Sequence, residues 1–255
     1  MHGQRTGLTH LRAALTLLAI FGPAAVCLQV AGRALEQSGN TGEITGKIYF
    51  EGDRPKLLPL NMGKDPVCQS EHTGTVYAED GAVNENGTLP NAFVYVKGSN
   101  ASVKVVPPRN SVDLTQQGCM YEPHVLGIMV GQPLQVQTLD PTTHNIHVMA
   151  SGNREWNVTQ EPGSASAIRK FTRAEIMIPV HCNEHPWMKA YIGVVDNPYF
   201  AVTGNKGSFV LKGLPAGKYI VAVWTATFGS QEQEVTVGAS ESATANFTFR
   251  NRQGA

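Results

Sequence analysis

The chain has 255 residues, 42% of them hydrophobic and 16% charged, and its 20 Lys+Arg balance its 20 Asp+Glu. Zero formal net charge argues against nucleic-acid binding, which needs a basic face, and the apolar content argues against a disordered chain. Low charge and few Leu/Glu/Lys stretches exclude a coiled coil or helical bundle, while 26 Gly and 15 Pro suit many turns between short strands.

In chain order, the first segment reads as an address. Arg5 and Arg12 flank the start of an apolar run, Leu11 to Val30, and small residues Ala31, Gly32 and Ala34 follow. This is the pattern of a secretory leader over 1–34. Its length of about 20 residues also suits an N-terminal anchor, although Gly22-Pro23 interrupts it and favours the leader. On either reading the remainder is expected to be periplasmic or secreted. Loss of Cys27 with a leader leaves Cys68, Cys119 and Cys182. An odd count in an oxidising compartment means one cysteine stays free, pairs between chains or binds something. The expected arrangement is a Cys68–Cys119 disulfide with Cys182 held apart.

After residue 40 the hydrophobic period is two. Strands are expected at 44–52, 91–98, 133–140, 144–150, 175–182, 207–214, 218–225, 233–238 and 243–249, rich in Val, Ile, Thr, Tyr and Phe and bounded by turn residues. Residues 153–174 read as a short helix or loop. The expected class is all-β, as one sandwich or two.

Two stretches carry chemistry. PVHCNEHPWMKAYIGVVD (179–196) holds Cys182, His185 and Met188 as C-x2-H-x2-M, and LDPTTHNIHV (139–148) holds His144 followed by Asn145. A soft thiolate, two imidazoles and a thioether make the ligand set of a mononuclear electron-transfer copper site. Thiolate and thioether favour Cu(I) and imidazole serves Cu(II), so such a site moves little when the electron arrives.

These segments resemble the cupredoxins, the small blue copper proteins. HNIHV is similar to the family's His-Asn strand, CNEHPWM to the amicyanin ligand loop, and YEPHVLGIMVGQPLQVQTLD (121–140) to the strands that precede them. The resemblance covers about residues 112–196. It implies a Greek-key β-sandwich holding one type 1 copper ion, with His144, Cys182 and His185 in the trigonal plane and Met188 as the weak axial ligand. Asn145 would tie the two ligand-bearing segments together. His185 would be the ligand nearest solvent and the electron port, with Trp187 adding apolar surface beside it for a redox partner.

Blander readings apply to the other histidines. On a strand, His147 points away from His144 and His181 away from Cys182. His124 reads as a core or surface histidine and His72 as a solvated loop residue. Structural zinc is the chemical rival, with Cys182, His144, His185 and another residue closing a tetrahedron; Met188, a poor zinc ligand, tips the choice to copper. The chain has no G-x-S-x-G, P-loop, G-x-G-x-x-G or H-E-x-x-H motif, and no enzymatic activity is expected.

The flanks hold a second resemblance. Gly207, Phe209, Leu211, Leu214-Pro215, Gly217 and Tyr219 are similar to the prealbumin-like sandwich of carboxypeptidase regulatory-like domains. That sandwich begins with two more strands, which 44–52 and 91–98 would supply across an inserted metal domain; alternatively 42–104 elaborates the metal domain's own sheet. The expected organisation is 1–34 leader or anchor, 42–104 N-terminal β region, 105–198 cupredoxin and 199–250 regulatory-like sandwich. The expected function is an exported one-electron carrier with a redox partner protein or complex, no nucleic acid, and no membrane beyond the N-terminal anchor. The alternative is a non-redox exported binding or structural module holding zinc or stored copper.

Overall fold

Along Pro133–Thr138 half-buried and buried side chains alternate strictly, the signature of a strand with one face in a core. The computed structural model describes residues 41–98 and 105–251, and this alternation governs most of them. The leader read over 1–34 lies outside the described residues. The fold is all-β, with one five-residue helix among the described residues.

The first sandwich carries the ligand motifs. One sheet runs in the order β5 (Val125–Met129), β11 (Lys189–Val195), β10 (Glu175–His181), β7 (His144–Val148), β8 (Trp156–Gln160). The other runs β4 (Met120–Glu122), β3 (Val112–Gln117), β6 (Pro133–Thr138), β9 (Ala167–Lys170). Leu114, Tyr121, Leu134 and Val136 from the second sheet meet Leu126, Ile146, Ile178 and Ile192 from the first in one core. Residues 153–174 hold β8 and β9 rather than a helix. In WNVTQ the alternating Trp156, Val158 and Gln160 face inward more than their neighbours, and β7 offers the edge that pairs with it.

The second sandwich draws on both flanks. β1 (Gly42–Glu51) pairs with β13 (Ser208–Leu214), β16 (Ser242–Thr244) and β17 (Phe247–Arg250). The expected strand over 243–249 is thus two, parted at Ala245-Asn246, where β1 passes from one partner to the next. The facing sheet runs β12 (Phe200–Val202), β2 (Phe93–Lys97), β14 (Gly217–Thr225), β15 (Gly229–Val237). Its inner face, with Val94, Val96, Val221 and Val223, shares a core with Ile44, Ile48, Phe209 and Leu211. Its outer face carries Phe93, Tyr95 and Trp224, which pack with Val125, Met177, Tyr191 and Val195 of the first sandwich.

Between β1 and β2 the chain makes a long excursion, residues 52–92, containing α1 (Pro66–Ser70). Leu60, Met62, Cys68 and Val76 of this arm join the core cluster of the first sandwich. This stretch of the arm, 60–76, therefore belongs spatially to the sandwich that carries the ligand motifs, while Val83, Leu89 and Ala92 farther along pack with the second core, and the Cys68–Cys119 disulfide acts within the first sandwich rather than between the two.

Candidate metal centre

β7 and β10 are antiparallel neighbours, His147 opposite His181, so the start of β7 and the end of β10 lie at one end of the sheet. His144 opens β7 and Cys182 follows β10 directly. Residues 182–188 form the hairpin connection to β11, since His181 pairs with Lys189. Cys182 N–H donates to the Met188 carbonyl at 3.3 Å and Met188 N–H to the His185 carbonyl at 2.9 Å, which folds the loop on itself. Three side chains converge from these two segments. The ligand atoms of His144, Cys182 and His185 lie within 4.8 Å of one another, and all three residues are buried. His144 Nδ1 faces His185 Nδ1 at 3.0 Å, and Cys182 Sγ lies 3.8 Å from His185 Nδ1. Met188, fully buried, closes the same loop and shares a core cluster with Cys182.

The surroundings turn these atoms toward one point. Cys182 Sγ accepts hydrogen bonds from Asn145 N–H and His185 N–H, each at 3.4 Å. Burial pushes the Cys182 thiol up, but His144 and the amides of Asn145, His185 and Glu184 outweigh burial, and its net shift is downward. His144 is shifted upward, because Asp140 and the Cys182 sulfur outweigh burial. The centre thus favours a thiolate, the form that binds metal.

Each histidine turns its remote nitrogen to a carboxylate. His144 Nε2–H donates to Asp140 Oδ2 at 2.7 Å, and His185 Nε2–H to Asp65 Oδ2 at 2.9 Å. Such partners fix the ring and leave the other nitrogen for a metal. With both Nε2 atoms engaged, the two Nδ1 atoms and Sγ remain as a thiolate–bis-imidazole set, which fits a soft or borderline ion.

Asn145 and Tyr121 brace the two segments. Asn145 Oδ1 accepts from Asn183 N–H at 3.3 Å, and its Nδ2 donates to Asn157 Oδ1. The fully buried Tyr121 hydroxyl reaches the Asn145 carbonyl at 2.5 Å and the His181 carbonyl at 3.0 Å, touching both ligand-bearing strands at once. Sequence reasoning misses this role, because there Tyr121 is only an aromatic residue shortly before a proline. It misses Asp65 and Asp140 as well; Asp140, four residues before His144, carries a spacing signal, whereas nothing local marks Asp65.

His185 is the most exposed of the four expected ligands, but only at 4%, against 3% for Cys182 and 0% for His144 and Met188, because the 52–92 arm lies over it. Asp65 caps its Nε2, and Cys68 Sγ sits 3.5 Å from the same nitrogen. Trp187 is half-buried; its ring lies 5.0 Å from that of His185, and its Nε1–H donates to the Cys119 carbonyl at 3.0 Å. Cys68 and Cys119 are joined, while Cys182 is free and buried. His147 turns outward to Glu155, and His72 is held at 2.7 Å from the Gly118 carbonyl. His124 is buried against Asp80 and Glu79, away from the ligand cluster.

No protein-family model matches the chain, and no curated protein matches it. Solved structures resemble part of it. Cu-containing nitrite reductase from Thermus scotoductus SA-01 is 21% identical, over 40% of this chain and 26% of its own, at TM-score 0.33. The chain therefore spans only 26% of that enzyme's length. A purple cupredoxin from Nitrosopumilus maritimus is 19% identical, over 32% of this chain and 97% of its own, at TM-score 0.28. A point mutant of amicyanin, in a reduced Cu(I) form at pH 4, is 20% identical, over 40% of this chain and 97% of its own, at TM-score 0.30. At these values the likenesses carry no argument about activity, and the chemistry of the centre has to be judged from its own geometry.

Proposed function

We propose that the chain is an exported one-electron carrier whose centre is a single type 1 copper ion in a cupredoxin-type sandwich. One observation carries the reading: a buried free thiol and two imidazole Nδ1 atoms converge within 4.8 Å, each imidazole already fixed from behind by a carboxylate. Copper bound there would supply a reversible Cu(II)/Cu(I) couple. The chain's own part is to hold the ligands still. Cys182 is backed by two amides, His144 sits at a strand start, and His185 is turned by Asp65, so the donor geometry is set before the ion arrives. Met188, at the loop end, would be the weak axial ligand. The second sandwich is proposed as a prealbumin-like scaffold or docking module, because β1 and β2 complete sheets with β13 and β14. The redox partner is a protein or complex, and the setting is periplasmic or secreted.

Titration of residues 35–255 with Cu(II) tests the reading. The expected result is an intense visible thiolate-to-copper band that saturates at one copper per chain and disappears in Cys182→Ser. Met188→Leu should keep the colour and raise the potential, since the axial ligand tunes it. Zinc bound without a reversible couple in voltammetry would instead select the non-redox module.

A further inference from the structure

The two carboxylates behind the histidines are hung in matching fashion on the two halves of one disulfide. On one side, Asp65 is the N-cap of α1. Its Oδ1 accepts from Val67 N–H at 2.8 Å and Cys68 N–H at 3.3 Å, while its Oδ2 accepts from Thr142 Oγ1–H at 3.2 Å and His185 Nε2–H at 2.9 Å. On the other side, Gly118 and Cys119 form the two-residue turn between β3 and β4, both at positive φ, 60° and 53°. Two central residues at positive φ make a type I′ turn, and both amides point at one carboxylate. Asp140 Oδ1 accepts from Gly118 N–H at 2.6 Å; its Oδ2 accepts from Cys119 N–H at 2.8 Å and His144 Nε2–H at 2.7 Å. The sequence of contacts is the same twice: half-cystine amide, carboxylate, imidazole. The Cys68–Cys119 bond closes the two series into a ring around the back of the centre.

We propose that Asp65 and Asp140 are a paired set of positioning residues, held by the Cys68–Cys119 disulfide, that sets the reduction potential of the centre. This rests on the reading of the cluster as a copper site. The physical route is short. A carboxylate accepting the Nε2–H draws the proton toward itself and makes Nδ1 a stronger donor. Stronger imidazole donation favours Cu(II) over Cu(I), so the pair lowers the potential. The disulfide contributes mainly through the carboxylates, by fixing the two backbone amides that orient them, and Cys68 Sγ adds a direct contact at 3.5 Å from His185 Nε2. A merely structural crosslink would affect unfolding and leave the potential where it was.

The design of the variants is dictated by the oxygens. In Asp65→Asn the remaining oxygen can still cap α1, but the amide NH2 then faces His185 Nε2–H, donor against donor. In Asp140→Asn one oxygen is left for partners that need two. Each variant should raise the potential. Outer-sphere partners of this kind change affinity about 10–100-fold; a tenfold change in the Cu(II)-over-Cu(I) preference is about 59 mV for a one-electron couple. Cys68→Ala/Cys119→Ala should move the potential the same way, and should add less than its full effect when combined with Asp65→Asn/Asp140→Asn. In the metal-free protein, nitrogen-15 NMR should show a slowly exchanging His185 Nε2–H that is lost in Asp65→Asn.

The experiment is voltammetry on wild type and these variants, each first checked for the visible band. A wild type without the band overturns the copper reading, and the proposal with it. A wild type with the band but unmoved potentials in both Asp variants overturns the clamp alone. Carboxylate effects that persist unchanged when the cysteines are replaced, or a cysteine effect that adds fully to theirs, overturn the role of the disulfide. The Asp variants keep the disulfide, so they decide the carboxylate part even where the double-Ala variant fails to fold.

Discussion

Tyr121 shows how one hydroxyl can govern a site it does not enter. Its Oη lies within hydrogen-bond distance of the carbonyls of Asn145 and His181, which belong to the two ligand-bearing strands. Burial drives its phenol strongly upward, with the charge of Cys182 adding to it, so the hydroxyl stays a donor. Tyr121→Phe leaves buried carbonyls short of a partner, and such a loss costs about 1–3 kcal/mol. Chemical denaturation of the metal-free protein should show a lower midpoint with an unchanged m-value. At this scale the sequence is partly legible. Cys182, His185, Met188 and His144 stand out because their types and spacing suit one metal. Tyr121, Asp65 and Asp140 do not, because a hydroxyl or a carboxylate gains its meaning only from the backbone that folds against it.

Elements are legible where the period of two is undisturbed, as in β6 and the first five residues of β13. They are obscure where a strand depends on a neighbour, as with β8 and β9, and in the 52–92 arm, whose course is set by contacts far away in sequence. The docking of the two sandwiches is a further case. Gly127 of β5 and Gly193 of β11 are direct partners across the sheet, and together they leave a hollow. A Cβ on Gly127 would lie 2.4 Å from the Phe200 ring and 2.7 Å from Phe93; one on Gly193 would lie 2.5 Å from Phe93 and 2.6 Å from Met177 Cε. Phe93, fully buried, fills that hollow from β2. Overpacking of this sort costs about 1–3 kcal/mol. Gly127→Ala and Gly193→Ala should each lower the thermal midpoint while leaving the proposed thiolate-to-copper band unchanged, since both lie at the contact between sandwiches.

At the scale of the whole molecule, stability depends on pH through His124, which pins the returning arm to the first sandwich. His124 Nε2–H donates to Asp80 Oδ1 at 2.9 Å, Glu79 lies 3.5 Å from its Nδ1, and Tyr191 donates to Asp80 at 3.3 Å. Burial pushes the imidazole down, but the hydrogen bond to Asp80 and the charges of both carboxylates outweigh it, and the net shift is upward. Its contribution is therefore fully present below the ordinary histidine value of about 6.5 and is lost as pH rises through the raised folded value. Asp80 is shifted downward, because His124, Lys189 and Tyr191 outweigh burial. That part persists above about pH 3.9 and is lost as pH falls through the lowered folded value. Glu79 opposes the pair, since burial lifts its carboxyl. Urea midpoints measured from pH 5 to 9 should fall on the alkaline side in wild type and fall less in His124→Gln. The interleaving of the two sandwiches also imposes a schedule. Lys47 and Asn246, hydrogen-bonded at 2.9 Å, stand 199 residues apart, and the strands that pair with β1, namely β13, β16 and β17, all come after the first sandwich in the chain. During synthesis β1 thus has only local ties, the Tyr49–Thr88 bridge, Phe50 N–H to the Gly87 carbonyl at 2.9 Å and Leu89 N–H to the Ile48 carbonyl at 2.8 Å, and most of its amides wait for strands that emerge late. Such distant pairing is slow and leaves a sticky edge exposed meanwhile, so the nascent chain is the form of this molecule most in need of a chaperone.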